Sequence, residues 1–181
     1  MKIFIAGPRA ISSLNKNFED RLYGIYEKNY AVLVGDANGV DKAVQKYFWN
    51  LNYSNVIIYA SNGKVRNNLG QWPVESVQVS AKIKGFDFYA AKDKAMANSA
   101  DYGFMLWNGE SKGTLNNIIN LLNENKRVLV FFSPKSSFIC IDNFDKLDTL
   151  LCSCNDGTRI LFDKLLKPAV SQTQMSLLER G

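Results

Sequence analysis

Val34-Gly35-Asp36-Ala37-Asn38-Gly39-Val40-Asp41 joins a buried apolar run to an amphipathic helix, and its reading decides the fold. Upstream, Ala31-Val32-Leu33-Val34 is continuous rather than alternating, as in a strand covered on both faces. Downstream, Val40, Ala43, Val44, Tyr47, Phe48 and Leu51 recur at helical spacing. A strand, a glycine turn and a helix in that order are one unit of a parallel sheet.

The unit repeats on either side. Ile3 to Ala6 is a first strand, broken by Gly7-Pro8-Arg9 and followed by Phe18, Leu22 and Ile25 on a helix over 15–29. Val56-Ile57-Ile58-Tyr59 is a third strand. The polar stretch 61–84, with Gly63, Gly70, Trp72 and Pro73, reads mostly as loop, with Val77 and Val79 as the trace of a short edge strand. A helix over 86–98 leads into a fourth strand at 102–107. Gly113-Thr114 then opens a helix carrying Leu115, Ile118, Ile119 and Leu122, before a fifth strand at 127–132.

The spacing therefore predicts an α/β fold, a Rossmann-like doubly wound parallel sheet of about five strands in the order 3-2-1-4-5, with helices on both faces. Residues 1–133 form this domain. Residues 134–181 read as a short C-terminal appendage packed on it. That appendage has a sixth strand at 138–141, helices at 143–151 and 157–166, and a frayed end after Pro168.

Composition removes several chemistries. The 181 residues include no histidine, which excludes Ser-His-Asp and Cys-His nucleophiles and any imidazole metal ligand. The three cysteines, Cys140, Cys152 and Cys154, form no C-x-x-C pair, so no metal is expected and the thiols read as reduced. Lys+Arg 22 against Asp+Glu 17 gives +5, which suits an anionic ligand but is too small to argue for nucleic acid. The apolar run at the N-terminus is too short for a signal peptide or a membrane span, and a cytoplasmic protein without membrane contact is the expectation.

In open parallel sheets ligands bind past the carboxyl ends of the strands. Three glycine segments lie there: Gly7-Pro8-Arg9, the Gly35–Asp41 turn, and Gly109-Glu110-Ser111-Lys112-Gly113-Thr114. Two run straight into helices, whose free N–H groups and dipole favour an anion such as phosphate. Neither G-x-G-x-x-G nor G-x-x-x-x-G-K-[ST] occurs. Arg9 suits a fork onto phosphate and equally a solvated loop. Asp41 and Thr114 suit the site and equally the first turn of a helix. Trp107 suits base stacking or the core, Arg66 a site wall or solvent, and Asp101 a turn before the fourth strand.

The order of these motifs resembles the SLOG superfamily, the Rossmann-like group joining LOG proteins and the DNA-processing protein A domain. The resemblance covers residues 2–132. It rests on Ala6-Gly7-Pro8-Arg9, the Val34–Asp41 segment, Ala100-Asp101 and Gly113-Thr114. The small stand-alone branch related to YspA and YpsA is the nearest in pattern. It implies a phosphorylated nucleoside or NAD-derived ligand, no required cofactor, and a homodimer paired through helices. On the combined reading the ligand contacts are Gly7, Arg9, Gly35, Asp36, Gly39, Asp41, Gly109, Gly113 and Thr114.

Departures from the pattern bear on activity. LOG enzymes, which cleave N-glycosidic bonds, carry P-G-G-x-G-T-x-x-E and an upstream arginine. Here the glutamate position is Asn117 and the arginine position Asp93, and an amide does not replace a carboxylate base. Nucleoside deoxyribosyltransferase-like enzymes also have a glutamate after Gly-Thr. The leading expectation is binding or sensing of a nucleotide without catalysis. The alternative is an N-glycosidic hydrolase or transferase using Asp93 or Glu110. Single-stranded DNA binding ranks third, because the basic residues are scattered along the chain.

Overall fold

The computed structural model describes residues 1–166. The apolar runs become β1 (Lys2–Ala6), β2 (Ala31–Gly35), β3 (Val56–Ser61), β5 (Tyr102–Trp107) and β6 (Val128–Phe132), with β4 (Val74–Val77) and β7 (Ser137–Ile141) added. The helices are α1 (Lys16–Glu27), α2 (Val40–Asn50), α3 (Phe86–Ser99), α4 (Lys112–Asn123) and α5 (Phe144–Leu151). The chain is helical again from 156 to 166. The frayed end expected after Pro168 lies outside the described residues.

One sheet runs β4-β3-β2-β1-β5-β6-β7. The five expected strands sit inside it in the expected order, all parallel. The strand count is corrected from five to seven. In the stretch read as mostly loop, β4 pairs parallel with β3, Ile58 to Ser61 matching Val74 to Val77. Three of its four residues are exposed, so pairing rather than an apolar pattern holds it, and periodicity carries little trace of it. The sixth strand expected beyond residue 133 is β7, which pairs antiparallel with β6. The connection, a 3-10 turn at Ser133–Lys135 and a left-handed Ser136 (φ 46°), is too short for a parallel crossover.

Strand residues alternate between two cores. Ile3, Ile5, Val32, Val34, Phe104 and Leu106 pack with Phe18 and Leu22 of α1 and Val44 and Phe48 of α2. Phe4, Ala6, Leu33, Met105 and Trp107 face the other way, against α3, α4 and α5. Helices on both faces explain why the strands read as unbroken apolar runs. They also place α1 and α4, the helices that follow the adjacent strands β1 and β5, on opposite faces. A crevice opens between them at the strand carboxyl ends. Among the described residues no helix is long and apolar enough to cross a membrane.

Candidate functional site

A cavity of about 530 Å³ occupies this crevice. Ala6, Gly7 and Arg9 reach it from the end of β1, Ala37 and Asp41 from the β2–α2 turn, and Ser111, Lys112, Gly113 and Asn117 from the start of α4. The first half of α3 forms the remaining wall, with Gly85, Phe86, Tyr89, Ala90, Lys92, Asp93 and Met96. The loops after β1 and β5 thus converge, as the strand order required.

Ser111 caps α4, its hydroxyl accepting from the Thr114 N–H at 3.4 Å. The N–H groups of Lys112 and Gly113, at the first two helical positions, have no intrahelical partner. A Cβ built on Gly113 meets nothing within 4 Å, so this face of the helix start is open. Arg9 and Lys112 are in no ion pair among the described residues. Each instead lies over an aromatic ring of α3, Arg9 Cζ 4.8 Å from the Tyr89 centroid and Lys112 Nζ 3.9 Å from that of Phe86.

The floor is a buried charge cluster. Lys92 Nζ is 2.8 Å from Asp93 Oδ1 and 4.0 Å from Asp36 Oδ1. Burial lowers the affinity of this ammonium for its proton, but Asp93, Asp41 and Asp36 outweigh it and leave the pKa above the ordinary value. Asp41 is buried, and desolvation pushes it up to about 6, against the pull of Lys92 and of the Ala37 N–H, from which it accepts at 3.2 Å. Burial raises Asp36 too, yet Arg66 prevails and holds its carboxyl below the usual range. Arg66 donates from Nε at 3.0 Å and from its terminal nitrogen at 2.7 Å, a two-pronged fork. Beside this cluster, Asn117 is buried, and its Oδ1 has no hydrogen-bond partner.

Of the sequence-expected contacts, Gly7, Arg9, Asp41 and Gly113 line the cavity, as does Asp93. Gly35, Asp36, Gly39, Gly109 and Thr114 do not, and each has a structural task instead. Gly35 leaves room for the Asp41 carboxylate and the Lys92 ammonium, which an added Cβ would strike. Gly39 has φ +79° and lies against the Arg9 backbone, so only glycine fits there. Asp36 anchors the loop between β3 and β4 through Arg66. Gly109 accepts from the Thr158 hydroxyl at 2.6 Å, and Thr114 is buried with its hydroxyl donating to Ser111 Oγ. Glu110 is corrected as a catalytic candidate: it is exposed, accepts from Asn155 at 3.2 Å, and lies outside the cavity. Trp107 is a core residue, and Asp101 accepts from the Lys2 N–H at 2.8 Å.

Apart from Asp93, the α3 residues that line the cavity are not among the sequence-expected contacts. The signal for this wall was an aromatic pair, Phe86 and Tyr89, three residues apart and so on one face of a helix start. Lys92-Asp93 one turn further on was a second signal, since a helix wall that buries charge is seldom mere core. Among the described residues no group of three His, Cys, Asp or Glu side chains is placed to hold a metal ion.

No family model matches the chain, and no curated protein does. Among solved structures it is similar to DNA processing protein A from Helicobacter pylori, described for its single-stranded DNA binding mode. The TM-score is 0.56 at 13% identity, covering 93% of this chain and 81% of that one. At that identity the likeness is one of fold.

Proposed function

We propose that this chain is a SLOG-type domain that binds a phosphorylated nucleotide or nucleotide derivative at the carboxyl ends of β1 and β5 and does not cleave it. One observation carries the reading: Arg9, Lys112 and the open first turn of α4 converge on one cavity, with no carboxylate of the described residues paired with either cation. A phosphate satisfies all three, by guanidinium fork, by ammonium and by backbone N–H groups near a helix dipole. The absence of turnover follows from the acids at hand. Asp93 is engaged by Lys92, Asp41 is buried and already accepts from the Ala37 N–H, Asn117 is an amide, and Glu110 is elsewhere.

Single-stranded DNA binding is the second reading, favoured by the fold shared with DNA processing protein A. Among the described residues, the two cavity cations without an ion pair suit one phosphate better than a run of backbone, which needs a longer basic track. Native mass spectrometry of the protein purified from cells tests both. A co-purifying mass equal to a mononucleotide or its derivative supports the first reading. Protein free of any such mass that binds a labelled single-stranded oligonucleotide, with affinity falling steeply as salt rises, supports the second and overturns the first.

A further inference from the structure

One ring on α3 serves two guanidinium groups. Arg66 Cζ is 4.7 Å and Arg9 Cζ 4.8 Å from the Tyr89 centroid. They are held very differently. Arg66 is locked by its fork onto the buried Asp36 carboxylate. Arg9 is exposed and makes no ion pair among the described residues, so the ring is its resting place. Lys112 rests on Phe86 in the same way. A ring holds a partly exposed cation more weakly than an anion does through charge-assisted hydrogen bonds.

We infer that Tyr89 is the stacking platform for an aromatic base on the ligand, and that Arg9 covers it only until an anion draws the guanidinium away. The inference rests on the phosphate-binding reading above and narrows it. The ligand is an anion joined to a planar ring, and the two parts bind together because the phosphate uncovers the surface that the base takes. Arg66 stays where Asp36 fixes it and keeps the ring in place. Phe86, three residues earlier and also lining the cavity, gives the base a second apolar neighbour once Lys112 turns to the phosphate.

Calorimetric titration of the full chain with AMP, ribose 5-phosphate and inorganic phosphate tests this. AMP is expected to bind at least about tenfold more tightly than ribose 5-phosphate, the scale of one base stacked on an aromatic side chain. Tyr89→Phe keeps the ring and should keep that ratio. Tyr89→Leu should erase it while ribose 5-phosphate binds as before. In Tyr89→Trp, ribose 5-phosphate should change the indole emission only as far as removal of Arg9 from the ring does, and AMP should quench it further by stacking, a readout that does not depend on the leucine variant folding. Equal wild-type affinity for AMP and ribose 5-phosphate overturns the stacking role and leaves the phosphate reading standing. A ratio that survives in Tyr89→Leu does the same. Failure of all three probes to bind overturns both.

Discussion

The Lys92 ammonium donates to Asp93 Oδ1 at 2.8 Å, and this contact between chain neighbours on α3 decides what Asp93 is free to do. A carboxylate whose oxygen already accepts from a neighbouring ammonium is not free to take a proton from a substrate. AMP incubated with the protein should therefore release no adenine above background, as read by chromatography. Lys92→Met should leave Asp41, Asp36 and Asp93 without their shared counter-charge and cost about 3–5 kcal/mol in urea denaturation. Wild-type stability in that variant would show that the cluster is solvated.

Asp41 links stability to pH. Its folded pKa of about 6 lies above the ordinary 3.8, so its stabilising protonated form is fully present below pH 3.8. The contribution is lost as pH rises through about 6, because there the native state sheds a proton from a dry site. The group facing it with opposite charge is Lys92, and those with like charge are Asp93 and Asp36. Asp41→Asn should therefore gain on the wild type as pH rises from 5 to 8, by about 1–1.5 kcal/mol, because roughly half of the effect of this shift falls below pH 5. Asp36 works in the opposite sense and lower, losing its contribution as pH falls below the ordinary carboxylate value. Parallel denaturation curves at pH 5 and 8 for both proteins check this, and a pH-independent difference would contradict it.

Gly35, beneath the charge cluster, and Gly113, on the cavity wall, should behave in opposite ways. Gly35→Ala drives a methyl group into Asp41 and Lys92 and should cost about 1–3 kcal/mol. Gly113→Ala places the methyl in open space on a helix, so it should stabilise by up to about 0.5–1 kcal/mol while weakening phosphate binding. Thermal unfolding with and without AMP separates the two effects.

Much of this was legible in the chain. The unbroken runs at β1, β2, β3, β5 and β6 announce burial on both faces, and parallel pairing then restricts their order. Arg9 and Gly113, expected at the strand ends, line the cavity there. Within the same turn Ala37 and Asp41 reach the crevice, while Asp36 faces the 62–73 loop through Arg66 and Asn67, Gly35 makes room for Asp41 and Lys92, and Gly39 packs on the Arg9 backbone. Tyr89 and Lys92 carry a pattern on α3, and Lys112 lies in the segment after β5, but only the topology lays α3 beside the end of β1. No local pattern encodes that juxtaposition.

Asn117 keeps a buried carbonyl oxygen without a partner, an arrangement that stability alone does not favour. Asn117→Leu, of similar size, should make the ligand-free protein more stable by about 1–2 kcal/mol. The same change should weaken AMP binding. A leucine variant less stable than the wild type would mean that water or protein already satisfies the amide.

The central claim is that a phosphate sits between Arg9, Lys112 and the start of α4, and calorimetric titration of AMP against adenosine tests it most directly. Wild-type protein should bind AMP at least about tenfold more tightly than adenosine, and Arg9→Ala should remove most of that advantage, as one charge-assisted hydrogen bond is worth about 1.5–3 kcal/mol. Adenosine binding as tightly as AMP, or an AMP preference unchanged in Arg9→Ala, would contradict the account.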